Sequence, residues 1–140
     1  MTLPRARILV VDPLGGTLSL AMASLIRDHD VELAHDAFDA IYRVDCAAQA
    51  HDLILCDLAR GDLAGPELWA YLSITRRDAA ERMIFVASTP LQSEAAAFLG
   101  RVSNLCVELP VDADGLDALA RRRRLRRSGA SREKCGGTAP

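Results

Sequence analysis

The stretch Asp52–Gly65 reads DLILCDLARGDLAG: a short apolar run, Leu53-Ile54-Leu55-Cys56, ends in the carboxylate of Asp57 where the chain enters a glycine-bearing segment. Residues 7–16, RILVVDPLGG, have the same shape, with Ile8-Leu9-Val10-Val11 stopping at Asp12. Apolar runs of this length without polar alternation suit strands buried on both faces, as in a parallel sheet covered by helices. A carboxylate at the end of each run points to a shared site.

Working outward from these two runs, strands are expected at Arg7–Val11, Val31–Ala34, Leu53–Cys56, Met83–Ala87 and Leu105–Val107. The intervening segments carry apolar residues at helical spacing. Helices are expected at about Gly16–Asp28, at Ala37–Ala50 with Asp36 as N-cap, from Pro66 after Gly65, at Leu91–Arg101, and at Asp112–Arg124. Strict alternation of five strands and five helices gives an α/β, flavodoxin-like, doubly wound five-stranded parallel sheet of order 2-1-3-4-5. Ligands of such sheets bind beyond the carboxyl ends of the strands where the order reverses, between strands one and three. Asp12 and Asp57 therefore belong to one crevice.

A chain of 140 residues, 50% hydrophobic and 26% charged, is long enough for one core and too apolar for a wholly disordered protein. No apolar run approaches the roughly 20 residues of a membrane span, and the N-terminus does not read as a signal peptide, so a cytoplasmic protein is expected. The four cysteines, Cys46, Cys56, Cys106 and Cys135, lack C-x-x-C spacing and read as buried reduced thiols. His29, His35 and His51 lack metal-ligand spacing and read as exposed, and Trp69 and Tyr71 as packing or surface residues.

The net charge of −2 conceals a division. Residues 121–140 hold eight of the 17 basic groups and one of the 19 acidic ones, leaving a body of −9 and a tail of +7. The domain is expected to span residues 1–125, and residues 126–140 to form a basic, disordered tail. No helix-turn-helix fits after residue 124, so salt-sensitive, non-specific contact of the arginine-rich tail with nucleic acid ranks as a lesser alternative. The opposite charges of body and tail favour docking onto an acidic partner or onto a second copy, as a homodimer.

Two carboxylates in one crevice repel each other, and Mg²⁺ with oxygen ligands is the usual means of keeping both ionised. A carboxylate beside Mg²⁺ is also able to attack phosphorus. The blocks ILVVDPL, LILCDLARGDLAGPEL, MIFVAST and LCVELPVD, spread over residues 5–124, resemble the successive motifs of response-regulator receiver domains of bacterial two-component signalling. The resemblance implies that Asp57 is the phosphoacceptor, that Asp12, Asp57 and the Ala59 carbonyl hold Mg²⁺, and that Gly65 closes the loop. It places Ala87, or Ser88 or Thr89 by a slip of the strand end, at the hydroxyl position, and Pro110 at the proline that follows the phosphate-binding lysine.

The chain departs from that pattern. Pro13 stands in place of the second acid, Leu109 in place of the lysine, Cys106 in place of the switching aromatic, and Gly61 in place of the loop proline. Each lost hydrogen bond to a charged group is worth about 1.5–3 kcal/mol, so an atypical, weakly metallated site is expected. The resemblance implies a stand-alone signalling protein, not an enzyme. Its partners would be a histidine kinase or phosphotransfer protein upstream and a downstream protein on the face of the last two expected helices and strand five. The alternative is a conventional phosphorylation-dependent regulator using Ser88. A Mg²⁺-dependent phosphohydrolase ranks lower, because Ala59 stands where its second aspartate belongs.

Overall fold

Five strands, β1 (Arg7–Val11), β2 (Asp30–Ala34), β3 (Leu53–Leu58), β4 (Met83–Ala87) and β5 (Cys106–Glu108), pair in parallel in the order β2-β1-β3-β4-β5. The computed structural model describes residues 5–12, 19–58, 64–87, 93–108 and 112–137, with the side chains of residues 19–21 and 127–137 excepted. Its helices are α1 (Ser19–Asp28), α2 (Ala37–Asp45), α3 (Ala64–Thr75), α4 (Arg77–Glu81), α5 (Ser93–Arg101) and α6 (Ala113–Gly137).

The period-two alternation of side chains along each strand divides the core. Ile8, Val10, Leu53 and Leu55 face α1 and α6, where they meet Leu25, Leu116 and Ala120. Leu9, Val11, Ile54 and Cys56 face the opposite side and pack against Ala40 of α2, Leu68 and Leu72 of α3 and Phe98 of α5. Burying a side chain of this size contributes about 1.5–3 kcal/mol.

Six helices stand among the described residues where five were expected. Arg76, at φ −147° and ψ 75°, interrupts the helix, and α4 then turns Ala79 and Ala80 into the core before β4. The N-cap of α2 is as expected, with the Asp36 carboxylate accepting from the Asp39 N–H at 2.7 Å. The helix ends at Asp45 with Cys46 as its C-cap and not at Ala50, because the chain turns back to bury His51 and Asp52 as it enters β3 beside β1. Cys46 is consequently exposed, whereas Cys56 is buried and Cys106 half-buried. Pro66 lies in the first turn of α3, which begins two residues earlier at Ala64. Helix α6 is continuous past residue 125, where the composition changes.

Two of the histidines overturn the expectation of exposure. His29 and His51 are buried, at 1% and 3% exposure; His35 is exposed. Each buried ring meets a carboxylate, His29 at Asp117 and His51 at Glu32. His51 donates from Nε2 to Glu32 at 3.1 Å, while its backbone carbonyl accepts from Arg82 Nε at 2.7 Å. Burial lowers the His51 pKa from 6.5; Glu32 offsets this in part, and Arg7 and Arg82 add to it. The unfolded chain therefore takes up a proton near pH 6.5 that the folded chain refuses. Stability is expected to fall as the pH drops below about 6.5, by at most about 1.4 kcal/mol per unit from this group. Urea midpoints at pH 7.5, 6 and 5 measure the effect, and His51→Gln should flatten that limb.

Candidate functional site

Asp57 lies inside β3, paired with Val86, and not just beyond the strand as the apolar run suggested. Asp12 follows the last residue of β1, and its N–H donates to the Ala34 carbonyl at 3.1 Å, extending the ladder toward β2. Val11 is in register with Cys56, so Asp12 and Asp57 stand level on adjacent strands, roughly 5 Å apart in backbone position. The alternation settles their direction. Val10 and Leu55 belong to the α1/α6 core while Val11 and Cys56 belong to the other, so Asp12 and Asp57 both lie on the α1/α6 side of the sheet. They are buried to 3% and 2% exposure.

Gly65 explains how α3 is held immediately behind this site. A Cβ there would lie 3.1 Å from Leu58 Cδ2 and 3.6 Å from Cys56 Cβ, so a side chain at this position would require the Leu58 side chain to give by a few tenths of an ångström. The Cys56 thiol is pushed up by burial and by the neighbouring Asp57 charge, and its side chain faces the opposite core. Cys56 thus stays protonated.

Ala87 ends β4 in register with Leu58 and Glu108, which puts a buried methyl one step beyond Asp57. Glu108, not singled out from the sequence, is an exposed acid at the end of β5, beside Ala87 and just before Leu109. The Cys106 thiol is raised by burial and by the Glu108 charge. Ala59, Ser88, Leu109 and Pro110, like Pro13, Gly61 and Thr89, lie outside the described residues. Among the described residues, no cluster of three or more His, Cys, Asp or Glu side chains forms, so Glu108 does not join the pair. Mg²⁺ retains several waters and commonly takes only one or two carboxylates from a protein. Asp12 and Asp57 meet that minimum.

Trp69 packs edge-on against Phe98 at 6.0 Å and donates to Asn104 at 3.2 Å, and Tyr71 is exposed with its hydroxyl 3.3 Å from Asp45, as their surface or packing reading required. No helix among the described residues is long and apolar enough to cross a membrane.

No family model matches the chain, and no curated protein does. Solved structures match it over most of its length. A response-regulator receiver domain from Clostridium thermocellum is 18% identical with a TM-score of 0.69, covering 88% of this chain and 97% of that one. A response-regulator receiver protein from Pseudomonas putida is 22% identical with a TM-score of 0.65, covering 85% and 98%. The chemotaxis response regulator CheY4 of Vibrio cholerae is 18% identical with a TM-score of 0.64, covering 86% and 99%. Likeness at these identities speaks to architecture, and with the strand order and the paired aspartates it shows that the chain has the flavodoxin-like fold of response-regulator receiver domains.

Proposed function

We propose that the chain is a receiver-like signalling module of a bacterial two-component or phosphorelay system, with Asp57 as the phosphoacceptor of an atypical site. The observation that carries this reading is the level, same-face placement of Asp12 and Asp57 on adjacent strands at the carboxyl rim. In the proposed step a carboxylate oxygen of Asp57 attacks phosphorus, forming an O–P bond as the donor's P–N bond to histidine breaks. Asp57 is a stoichiometric acceptor in this reading, not a turnover catalyst. Asp12, Asp57 and the Ala59 carbonyl would hold Mg²⁺, which when bound supplies the charge neutralisation that lets two anions approach.

The site is atypical because the groups that would grip a transferred phosphoryl are replaced. Ala87 offers a methyl where a hydroxyl would donate, and Glu108 adds negative charge at the neighbouring strand end. Leu109 has no donor, and Pro13 removes the second acid. Such losses, at about 1.5–3 kcal/mol each, weaken the modified state without harming the fold. Output is therefore assigned to contacts with other proteins on the face of α5, β5 and α6, with a histidine kinase or phosphotransfer protein upstream.

Incubation with Mg²⁺ and acetyl phosphate, read by intact mass, tests the proposal. A substoichiometric adduct that needs Mg²⁺ and is abolished in Asp57→Asn is expected. A stoichiometric adduct would overturn the atypical reading in favour of a conventional regulator, and an adduct retained in Asp57→Asn would overturn the assignment of Asp57.

A further inference from the structure

Arginines are concentrated at one end of the strand axis of this domain. At the carboxyl rim stand Asp12, Asp57 and Glu108 with Asp36, Glu67 and Glu94, which open α2, α3 and α5. At the amino rim arginines stand among four acids, Asp45, Asp52, Asp78 and Glu81. Arg76 and Arg77 form the junction of α3 and α4, Arg82 leads into β4, and Arg121 through Arg126 place five arginines on α6 where it passes β3 and leaves the sheet.

Only some of these guanidinium groups are used internally. Arg76 pairs with Asp45, Arg121 with Asp117 and Arg124 with Asp52, and Arg123 donates to the Arg82 carbonyl at 2.9 Å. Among the described residues, Arg77, Arg122 and Arg126 have no carboxylate in ion-pair contact, and all three are exposed. Arg77 is shared by two adjoining polar clefts. One, of about 410 Å³, is also lined by Arg76, Arg82 and Thr75. The other, of about 570 Å³, is lined by Arg123, Ser73, Ser103 and Asn104. From the same rim α6 continues to Gly137 with seven arginines and one lysine against one glutamate from residue 121 onward.

We propose that this amino rim and the α6 extension form a docking surface for the phosphodiester backbone of nucleic acid. The chemistry of the surface favours that partner over a protein. A protein interface needs a buried apolar or aromatic centre, and on α6 from residue 121 to 137 only Leu125, Ala130 and Cys135 are apolar. A phosphate backbone asks only for guanidinium forks and small polar donors; α6 supplies the forks, and the clefts add Arg77, Arg82 and Arg123 beside the acids Asp45, Asp78 and Glu81, of which Asp45 is paired with Arg76. The acidic rim does not cancel the attraction. It lies a strand length away, about 17 Å, beyond the roughly 10 Å screening length at 0.1 M salt. The contacts of this surface go to phosphates, which carry no base sequence, and they are independent of the chemistry at Asp57.

Fluorescence anisotropy of the full chain with a labelled 25-base-pair duplex of mixed sequence tests the proposal. Binding at 50 mM salt is expected to weaken on the order of fiftyfold at 150 mM, the dependence for about four phosphate contacts. Arg122→Glu with Arg126→Glu should weaken binding at least about tenfold and lower the salt slope by about two, and Arg77→Glu should lower it by about one. These side chains are exposed, and circular dichroism verifies that the variants fold. Absence of binding at 50 mM salt, or variants that bind like the parent, would overturn the proposal. So would equal displacement by polyglutamate of matched charge, which would point to an acidic protein. Salt-sensitive self-association abolished by the same variants, without duplex binding, would point to a second copy of the chain and also overturn it.

Discussion

Phe85→Ala is expected to cost about 3–5 kcal/mol of folding stability, seen as a lower urea midpoint with an unchanged slope. The ring is fully buried in the middle of β4. It meets Phe98 of α5 edge-on, with centroids 5.0 Å apart and planes at 88°, and Phe98 in turn meets Trp69 of α3. On its other side Cε1 comes within 3.5 Å of where a Cβ on Gly65 would stand, so the ring fills the space that the glycine leaves. Alanine would open a cavity between β4, α3 and α5 that no neighbouring side chain is free to enter. Edge-to-face pairing adds about 0.5–1.5 kcal/mol to area burial, which puts the expected loss in the upper half of the range. Against a total of about 5–15 kcal/mol this is about a quarter or more, or on the order of 10 °C in midpoint temperature. Phe85→Leu, which retains most of the volume, should cost less than half as much.

The strands were legible because buried parallel strands write themselves as unbroken apolar runs, and both β1 and β4 fall where those runs do. The pairing of Asp12 with Asp57 was legible for a related reason: strand order fixes neighbours, and each run ends in an acid. What sequence could not show was where tertiary demand overrides propensity. Residues 47–50 are alanine-rich and read as helix, yet the chain there must return to bury His51 and Asp52. Arg76 carries no breaker signature, yet its backbone angles split α3 from α4. The histidines were misread because their burial depends on acids far off in the chain. Glu32 lies 19 residues from His51, and Asp117 lies 88 residues from His29. Glu108 escaped notice because only the register of β5 against β4 puts it beside the site.

The pair most remote in sequence carries the second large effect: His29→Leu is expected to cost about 2–4 kcal/mol and to loosen α6. His29 sits in the turn between α1 and β2, where its Nδ1 accepts the Ala6 N–H at 3.0 Å. That bond fixes the proton on Nε2, which donates to Asp117 of α6 at 2.6 Å. Leucine matches the ring in apolar bulk, yet it strands a buried backbone N–H and removes the hydrogen bond to a carboxylate, each worth about 1–3 kcal/mol. Desolvation alone would push the Asp117 carboxyl up; bonds from His29 and Arg121 outweigh it and hold the group below 3.8. Its contribution to stability is accordingly present above that value and lost as the pH falls below it. Without the imidazole the carboxyl should titrate higher in an NMR pH series, a change that simple loss of packing would not produce. Hydrogen exchange should separate the two halves of the latch. Amides of α6 through residue 124 lose protection when His29 is replaced, whereas Phe85→Ala, on the other face of the sheet, should weaken α3 and α5 first. Since Asp117 also orients Arg121 at 3.2 Å, the imidazole sets how the arginine-bearing part of α6 leaves the sheet. Salt-dependent binding by that helix should therefore weaken in His29→Leu although no basic group has been removed.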